Sequence, residues 1–179
     1  MTKNTIILLA ISGLLLLSIF WGIGKYNGLI NMDESVSGQW ANVENQYQRR
    51  VDLIPNLIAT VKGYAKHETT TLEGVVTARS KATQITVDPT NLSAEKLKEY
   101  QAAQGELGSA LGKLLMITEN YPDLKANQNF LELQAQLEGT ENRIATERTA
   151  FNNLAKDFNA AIRKFPTNII ANMSGFEKK

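Results

Sequence analysis

The sequence has 179 residues, no cysteine and a formal net charge of +1. The lack of cysteine excludes disulfides, thiolate metal sites and thiol nucleophiles. Without Lys3 and Lys25 the 19 basic residues fall to 17, against 18 acidic residues, so the rest of the chain has a balance of about −1. A nearly neutral domain lacks the basic surface that nucleic-acid-binding proteins use, and we expect no nucleic-acid partner.

The first predicted element is an apolar segment from Thr5 to Gly24, which carries no charge and lies between two lysines. About 20 helical residues at about 1.5 Å each span roughly 30 Å, the thickness of bilayer hydrocarbon. A cleaved signal peptide is the alternative interpretation. The apolar run is longer than that of a signal peptide, and the bulky Phe20 and Trp21 crowd its small-x-small site, so the pattern favours an uncleaved anchor.

We therefore predict a transmembrane anchor over residues 1–25 and a single domain over residues 26–179, with the lipid bilayer as the first partner. The basic residues close to the two ends of the anchor balance, so the orientation stays open. The default for a short N-terminal tail places the domain outside the cytoplasm.

Apolar residues recur every seven positions along the domain, which predicts an all-α, antiparallel up-and-down helical bundle. The predicted helices cover residues 27–84, 94–120 and 126–164. A loop over Thr86–Ser93 separates the first two, and Ser93 is the expected N-cap of the second. The first series is Trp40, Tyr47, Ile54, Val61, Glu68, Val75 and Ala82; the last series is Phe130, Leu137, Ile144, Phe151, Phe158 and Phe165.

Pro55 lies inside the first series without changing its phase. A proline within a helix removes one backbone hydrogen bond and clashes with the carbonyl four residues earlier. The unbroken pattern predicts one very long first helix that is kinked at Pro55. The alternative is a pair of helices that meet at this proline.

No catalytic motif emerges. His67–Glu68 begins an H-E-x-x-H pattern, but Thr71 stands where the second histidine is needed, and the chain has one histidine in all. There is no glycine-rich phosphate loop and no nucleophile elbow. We expect a protein that is not an enzyme, with no cofactor, metal or small-molecule substrate.

Four charged residues fall on or beside the inner stripes: Glu68, Arg79, Glu141 and Arg148. A charge on an inward face must be paired or it costs several kcal/mol. One hypothesis is an inner ion network between the first and last helices that fixes their register. The alternative is that these charges flank the core and reach water through their stems.

The domain resembles the LemA family from about Tyr26 to its last residue. The stretches that carry the resemblance are Arg49–Arg50 with DLIPNLIATVKGYAKHE at 52–68, AR at 78–79, ENYPDLKANQNFLELQ at 119–134, ENRIATER at 141–148 and FPTNIIA at 165–171. The resemblance implies a bacterial single-pass membrane protein with a helical-bundle domain and no established enzymatic activity. It also implies an N-terminus outside the cytoplasm, opposite to the default above.

The first functional hypothesis is a non-enzymatic scaffold or interaction module that binds protein partners or itself. A first helix much longer than the second would leave an apolar stripe uncovered, and uncovered stripes mark interfaces. The predicted self-association face is Val36, Trp40, Val43 and Tyr47. The alternative is an accessory or sensor module that regulates an envelope protease or phosphatase by moving at Pro55.

Overall fold

The computed structural model describes residues 2–89 and 92–179, with Ile6 described by its backbone alone. Within these residues every regular element is a helix, which confirms the all-α prediction. The elements are α1 Lys3–Tyr64, α2 Thr69–Gln84, α3 Ala94–Thr118, α4 Pro122–Lys125, α5 Gln128–Ala161 and α6 Thr167–Met173. Thr90 and Asn91 of the predicted loop lie outside the described residues.

Helix α1 contains Pro55 and continues past it to Tyr64. The chain is therefore not divided into two helices at the proline. The predicted bounds of this helix, 27 and 84, are both wrong. Its N-terminal part is the apolar segment that was predicted to be the anchor, and no linker separates this segment from the rest of the helix.

The chain turns at residues 65–68 and returns as α2. The Glu68 amide donates to the Ala65 carbonyl at 3.2 Å, which closes the turn. Helix α2 then begins with three successive threonines, Thr69 to Thr71. Threonine is β-branched and a weak helix former, so this stretch does not favour a continuous helix through the turn. The seven-residue pattern did not reveal this turn, because both arms of a helical hairpin keep their apolar residues at helical spacing.

Two local hydrogen bonds explain where the later helices begin. Ser93 has extended backbone angles, and its hydroxyl accepts from the Lys96 amide at 3.2 Å, as predicted for the N-cap of α3. The Asn127 side chain accepts from the Phe130 amide at 3.0 Å at the start of α5. Within the predicted connection between these helices, Pro122 is the first residue of the short helix α4.

The chain divides into two compact units. The central unit is Ser37–Asn152, and the terminal unit combines the residues up to Val36 with Asn153–Lys179. Both α1 and α5 contribute residues to each unit.

Side-chain contacts define the topology of the central unit. The Asn127 amide donates to the Tyr64 hydroxyl at 2.9 Å, and the Gln39 amide donates to the Glu147 carboxylate at 2.6 Å, so α5 runs antiparallel to α1. Lys81 of α2 pairs with Glu106 of α3 at 3.1 Å. The result is the up-and-down order that short connections favour.

The core of the central unit is a continuous apolar cluster contributed by α1, α2, α3, α4 and α5. Each residue in this cluster is at most lightly exposed, so truncation of one large member would cost about 2–5 kcal/mol. Its most deeply buried large members are Ile54, Leu57, Val61, Val75, Leu107, Leu114, Leu124 and Phe130.

The terminal unit is built around aromatic contacts. The ring of Phe176 lies 6.0 Å from that of Tyr26 and 6.1 Å from that of Phe158. Lys179 pairs with Asp33 at 2.9 Å. Phe165, the last member of the predicted series, is 80% exposed, because α5 ends at Ala161 before reaching it.

Candidate functional site

The predicted self-association face is covered within a single chain. Val36, Trp40, Val43 and Tyr47 are all buried. The Trp40 ring packs edge-on at 5.5 Å from Tyr100 of α3 and at 5.3 Å from Phe151 of α5. The expectation of an uncovered stripe is therefore wrong, because α3 and α5 both extend along this part of α1.

A buried arginine lies at the centre of the inner polar residues. The Arg50 side chain on α1 is 3% exposed. Its Nη1 donates to Oε1 of Glu141 on α5 at 2.8 Å. Its Nη2 donates to the carbonyl and to Oε1 of Gln104 on α3, at 2.9 and 2.6 Å. One guanidinium thus joins three helices, and its planar fork of donors suits this task better than an ammonium would.

The ring of Tyr47 packs against this arginine. The guanidinium carbon lies 5.1 Å from the centre of the Tyr47 ring, a cation–π arrangement. The ring of Tyr100 packs edge-on against Tyr47 at 5.5 Å. Burial raises the pKa of the Tyr100 hydroxyl to about 12, and Glu44 and Tyr47 add to the increase. The surroundings therefore keep the Tyr100 hydroxyl protonated at a pH where an exposed tyrosine would already ionise.

The four predicted network residues have different partners. Glu141 pairs with Arg50. Arg148 lies near the Tyr47 hydroxyl, whose pKa is raised mainly by burial, while the positive charges of Arg148 and Arg50 oppose that increase. Among residues 2–89 and 92–179 no ion pair joins two of the four. The structure brings Glu141 and Arg148 to the surroundings of the same tyrosine, and places Arg79 and Glu68 elsewhere.

Arg79 compensates for the proline in α1. Because Pro55 has no N–H, the carbonyl of Val51, four residues earlier, loses its helical partner. Nε of Arg79 on α2 donates to that carbonyl oxygen at 3.1 Å. The hydrogen bond that the proline removes within α1 is thus replaced by one from the neighbouring helix.

Glu68 lies at the turn between α1 and α2, where its carboxylate accepts a hydrogen bond from the Tyr121 hydroxyl at 3.0 Å. This bond raises the pKa of Tyr121. His67, beside it, is exposed. Within the described residues no three histidine, aspartate or glutamate side chains lie close enough together to hold a metal ion.

Sequence reasoning missed Arg50 as an inner residue, although the pattern contained a signal. Val36, Val43, Leu57 and Tyr64 recur at intervals of seven, and position 50 fills the gap in that series. A charged residue at a strict inner position predicts a buried partner. Of its partners, Glu141 was already predicted to lie beside an inner stripe, whereas Gln104 carried no such mark.

Two solvent-open grooves lie along α2 in the central unit. The first has a volume of about 620 Å³ and lies between α1 and α2. Its lining includes the apolar Leu72 and Val76 and the charged Lys62, Lys66 and Glu73. The second, of about 650 Å³, lies between α2 and α3 and is lined largely by small and polar side chains.

The sequence model of the LemA family matches residues 39–179. The chain belongs to the LemA family. The match covers all but two residues of the central unit and the part of the terminal unit contributed by α5 and α6. It therefore includes Arg50, Pro55 and Arg79, and leaves out the anchor.

Relatives of this LemA-family chain include two kinds of named protein. Magnetosome protein MamQ of Magnetospirillum gryphiswaldense is 28% identical over 171 residues, which cover 86% of this chain and 63% of the relative. Protein LemA of Metamycoplasma hominis is 28% identical over 149 residues, which cover 83% of this chain and 64% of the relative. The chain thus spans slightly less than two thirds of the length of these relatives.

Proposed function

We propose that this chain is a single-pass, membrane-anchored protein of a bacterial membrane whose central unit is a non-enzymatic binding module for other proteins. The observation that carries the proposal is how the inner polar side chains are used. Arg50 joins α1 to α3 and α5, Arg79 binds α2 to α1, and Glu68 binds the turn after α1 to Tyr121, the residue before α4. A catalytic pocket would instead have titratable groups that converge on an accessible cavity.

The anchor supports the membrane part of the proposal. The N-terminal part of α1 is long and apolar enough to cross a bilayer, and its side chains are exposed rather than packed in a core. Exposed side chains such as Leu14, Leu17 and Phe20 would be costly in water. Lipid supplies the apolar surroundings that these residues lack within the chain.

The groove between α1 and α2 is the surface that we assign to a protein partner. Val76 is an exposed apolar residue of its lining, and the two basic residues Lys62 and Lys66 outnumber the one acidic residue, Glu73. This combination fits an amphipathic helix that lays its apolar face into the groove and carries acidic residues beside it. The proposed partner binds at this groove alone.

Site-specific photo-cross-linking in intact cells tests this assignment. A photoreactive residue at Val76 should give discrete protein adducts, and the added substitutions Lys62→Glu and Lys66→Glu should weaken them. The control position is Met116, which is 72% exposed and lies on α3 outside both α2 grooves. The same adducts from both positions, or none from Val76, would refute the groove as the binding surface.

The orientation of the domain can be tested on the same chain. We place the domain outside the cytoplasm, following the default for a short N-terminal tail. Because the chain has no cysteine, the variant Met116→Cys offers a single thiol. A membrane-impermeant maleimide added to intact cells should label it. Labelling that requires lysed cells would reverse the orientation.

The second candidate is an accessory or sensor module that moves at Pro55. The hydrogen bond from Arg79 to the Val51 carbonyl holds α2 against this point of α1. Motion at the proline would have to break that bond, which favours the binding module over the sensor. If Pro55→Ala changed envelope signalling while leaving the adducts at Val76 intact, the sensor would become the better proposal.

A further inference from the structure

The terminal unit has a second apolar surface besides the anchor. Phe165, which precedes α6, is 80% exposed, and Met173 at the end of α6 is 83% exposed. Ile169 lies midway between them and is also exposed. Residues four apart on a helix lie on one face, so Ile169 and Met173 form an apolar strip on the outer side of α6. We call Phe165, Ile169 and Met173 the α6 strip.

The opposite side of α6 holds the helix against the terminal unit. Ala171 is buried there. After α6, Gly175 has a φ of +73°, a left-handed conformation that favours glycine. The Phe176 amide donates to the Ala171 carbonyl at 3.0 Å, which reverses the chain in the manner of a Schellman cap. This reversal brings the Phe176 ring to Tyr26 of α1.

Tyr26 marks the point where α1 changes its surroundings. The large apolar side chains before it, such as Phe20 and Ile23, are exposed, whereas Leu29 is 2% exposed. Phe176 contacts α1 at this boundary, since the rings of Phe176 and Tyr26 are 6.0 Å apart. The C-terminal segment is therefore attached where the exposed anchor ends.

The α6 strip lies within reach of the bilayer surface. Met173 is three residues before Phe176, and three residues of chain span at most about 10 Å. Each headgroup layer of a bilayer is roughly 5–8 Å deep beyond the hydrocarbon. The exposed basic residues Arg163 and Lys164 precede the strip and Lys178 follows it. Basic residues beside an apolar strip are typical of segments that bind anionic membrane surfaces.

We propose that the α6 strip inserts into the headgroup region of the membrane next to the anchor and forms a second lipid contact of the terminal unit. The ligand is the bilayer surface, with anionic headgroups at Arg163, Lys164 and Lys178. The proposal rests on the membrane anchoring proposed above. A second copy of this chain is the competing occupant that the test must separate.

The test uses the full-length chain, whose lack of native cysteine permits single-cysteine labelling. An environment-sensitive fluorophore is attached at Phe165, Ile169 or Met173, and the protein is reconstituted in vesicles of phosphatidylcholine and phosphatidylglycerol. Brominated phosphatidylcholine then quenches those labels that contact lipid. The label at Leu17 reports on the anchor by itself, and the label at Met116 is a control of matched exposure in the central unit.

We expect all three strip positions to lose most of their emission in brominated vesicles, as the Leu17 label does, while the Met116 label keeps its emission. A label at Thr167, on the other side of α6, should be quenched much less than the Met173 label. Omission of phosphatidylglycerol should weaken quenching at the strip and leave that at Leu17 unchanged.

Three outcomes overturn the inference in distinguishable ways. If Leu17 is quenched but the strip behaves like Met116, the anchor stands and the α6 contact is wrong. If Leu17 itself is not quenched, the proposed anchoring fails. If the strip label is shielded without bromine quenching, and the shielding disappears when the lipid-to-protein ratio is raised tenfold, a second copy of the chain covers the strip instead.

Discussion

The two parts of α1 are apolar in different ways. Up to about Tyr26 the helix is apolar on every side and its side chains are exposed. From Leu29 onwards most of the large apolar residues lie on one face and are buried, with Ile30 and Tyr64 as exposed exceptions. The first part is long and apolar enough to cross a bilayer, whereas the second is covered by the rest of its own chain. The same helix thus shows that pattern, rather than apolar content, decides which partner a helix needs.

The largest expected loss of stability is that of replacing Trp40 in the buried part of α1. Trp21, in the exposed part, is the control. Trp40→Ala removes a ring held between Tyr100 and Phe151, and should lower the free energy of unfolding by about 3–5 kcal/mol. Trp21→Ala, in the anchor, should change it by less than about 0.5 kcal/mol. Urea denaturation of the full chain in mild detergent, followed by far-ultraviolet circular dichroism, measures both. Equal losses would remove the distinction between the two parts.

The next largest effect is expected at Arg50, and it can be compared with that of the adjacent residue, Arg49. Arg50→Ala leaves Glu141 and Gln104 without their shared donor, and should cost about 3 kcal/mol, near the lower end for a broken buried pair because Glu141 is half exposed. The control is Arg49→Ala, the exposed neighbour, with an expected change within about 0.5 kcal/mol. The same denaturation experiment distinguishes them, and a comparable loss from both variants would contradict the bridging role.

Tyr100 gives the buried part a dependence on pH that the anchor does not share. Its pKa is raised to about 12 in the folded chain and is about 10 when unfolded. The stability from this group is complete below about pH 10 and is lost as the pH rises towards 12, by about 2–3 kcal/mol in all. Unfolding free energies between pH 9 and 11.5 should fall less steeply in Tyr100→Phe. Parallel curves would show that Tyr100 is not responsible.

The smallest expected loss of stability comes from removing the hydrogen bond between Arg79 and the Val51 carbonyl of α1. Arg79→Met should cost about 1–3 kcal/mol, because the Val51 carbonyl then lacks a donor. When Pro55→Ala supplies a new N–H, the same arginine substitution should cost clearly less, a coupling of about 1 kcal/mol in a double-mutant cycle. Arg143→Met, at an exposed arginine, controls for the loss of charge. Additive losses would show that Arg79 does not act through the proline.

The predictions from sequence failed at three places that share one physical reason. The turn at Ala65–Glu68, the burial of the Trp40 face and the partners of Arg79 all depend on which helices meet. A repeat of seven reports that a residue faces inwards, without reporting what it faces. Glu68 therefore fits the seven-residue pattern although it lies in a turn. Arg79 was predicted to pair with carboxylates, but its partner is the backbone carbonyl of Val51.

The sequence by itself determined the apolar N-terminal segment, the helical class, the N-cap at Ser93 and the passage of α1 through Pro55. Each of these is a local property, set by hydropathy, spacing or one residue's backbone geometry. The tertiary structure alone decided that Arg50 joins three helices, that Arg79 replaces the hydrogen bond missing at Pro55 and that Phe176 docks at Tyr26. These contacts join residues far apart in the chain, and their energies exist only once the helices have packed.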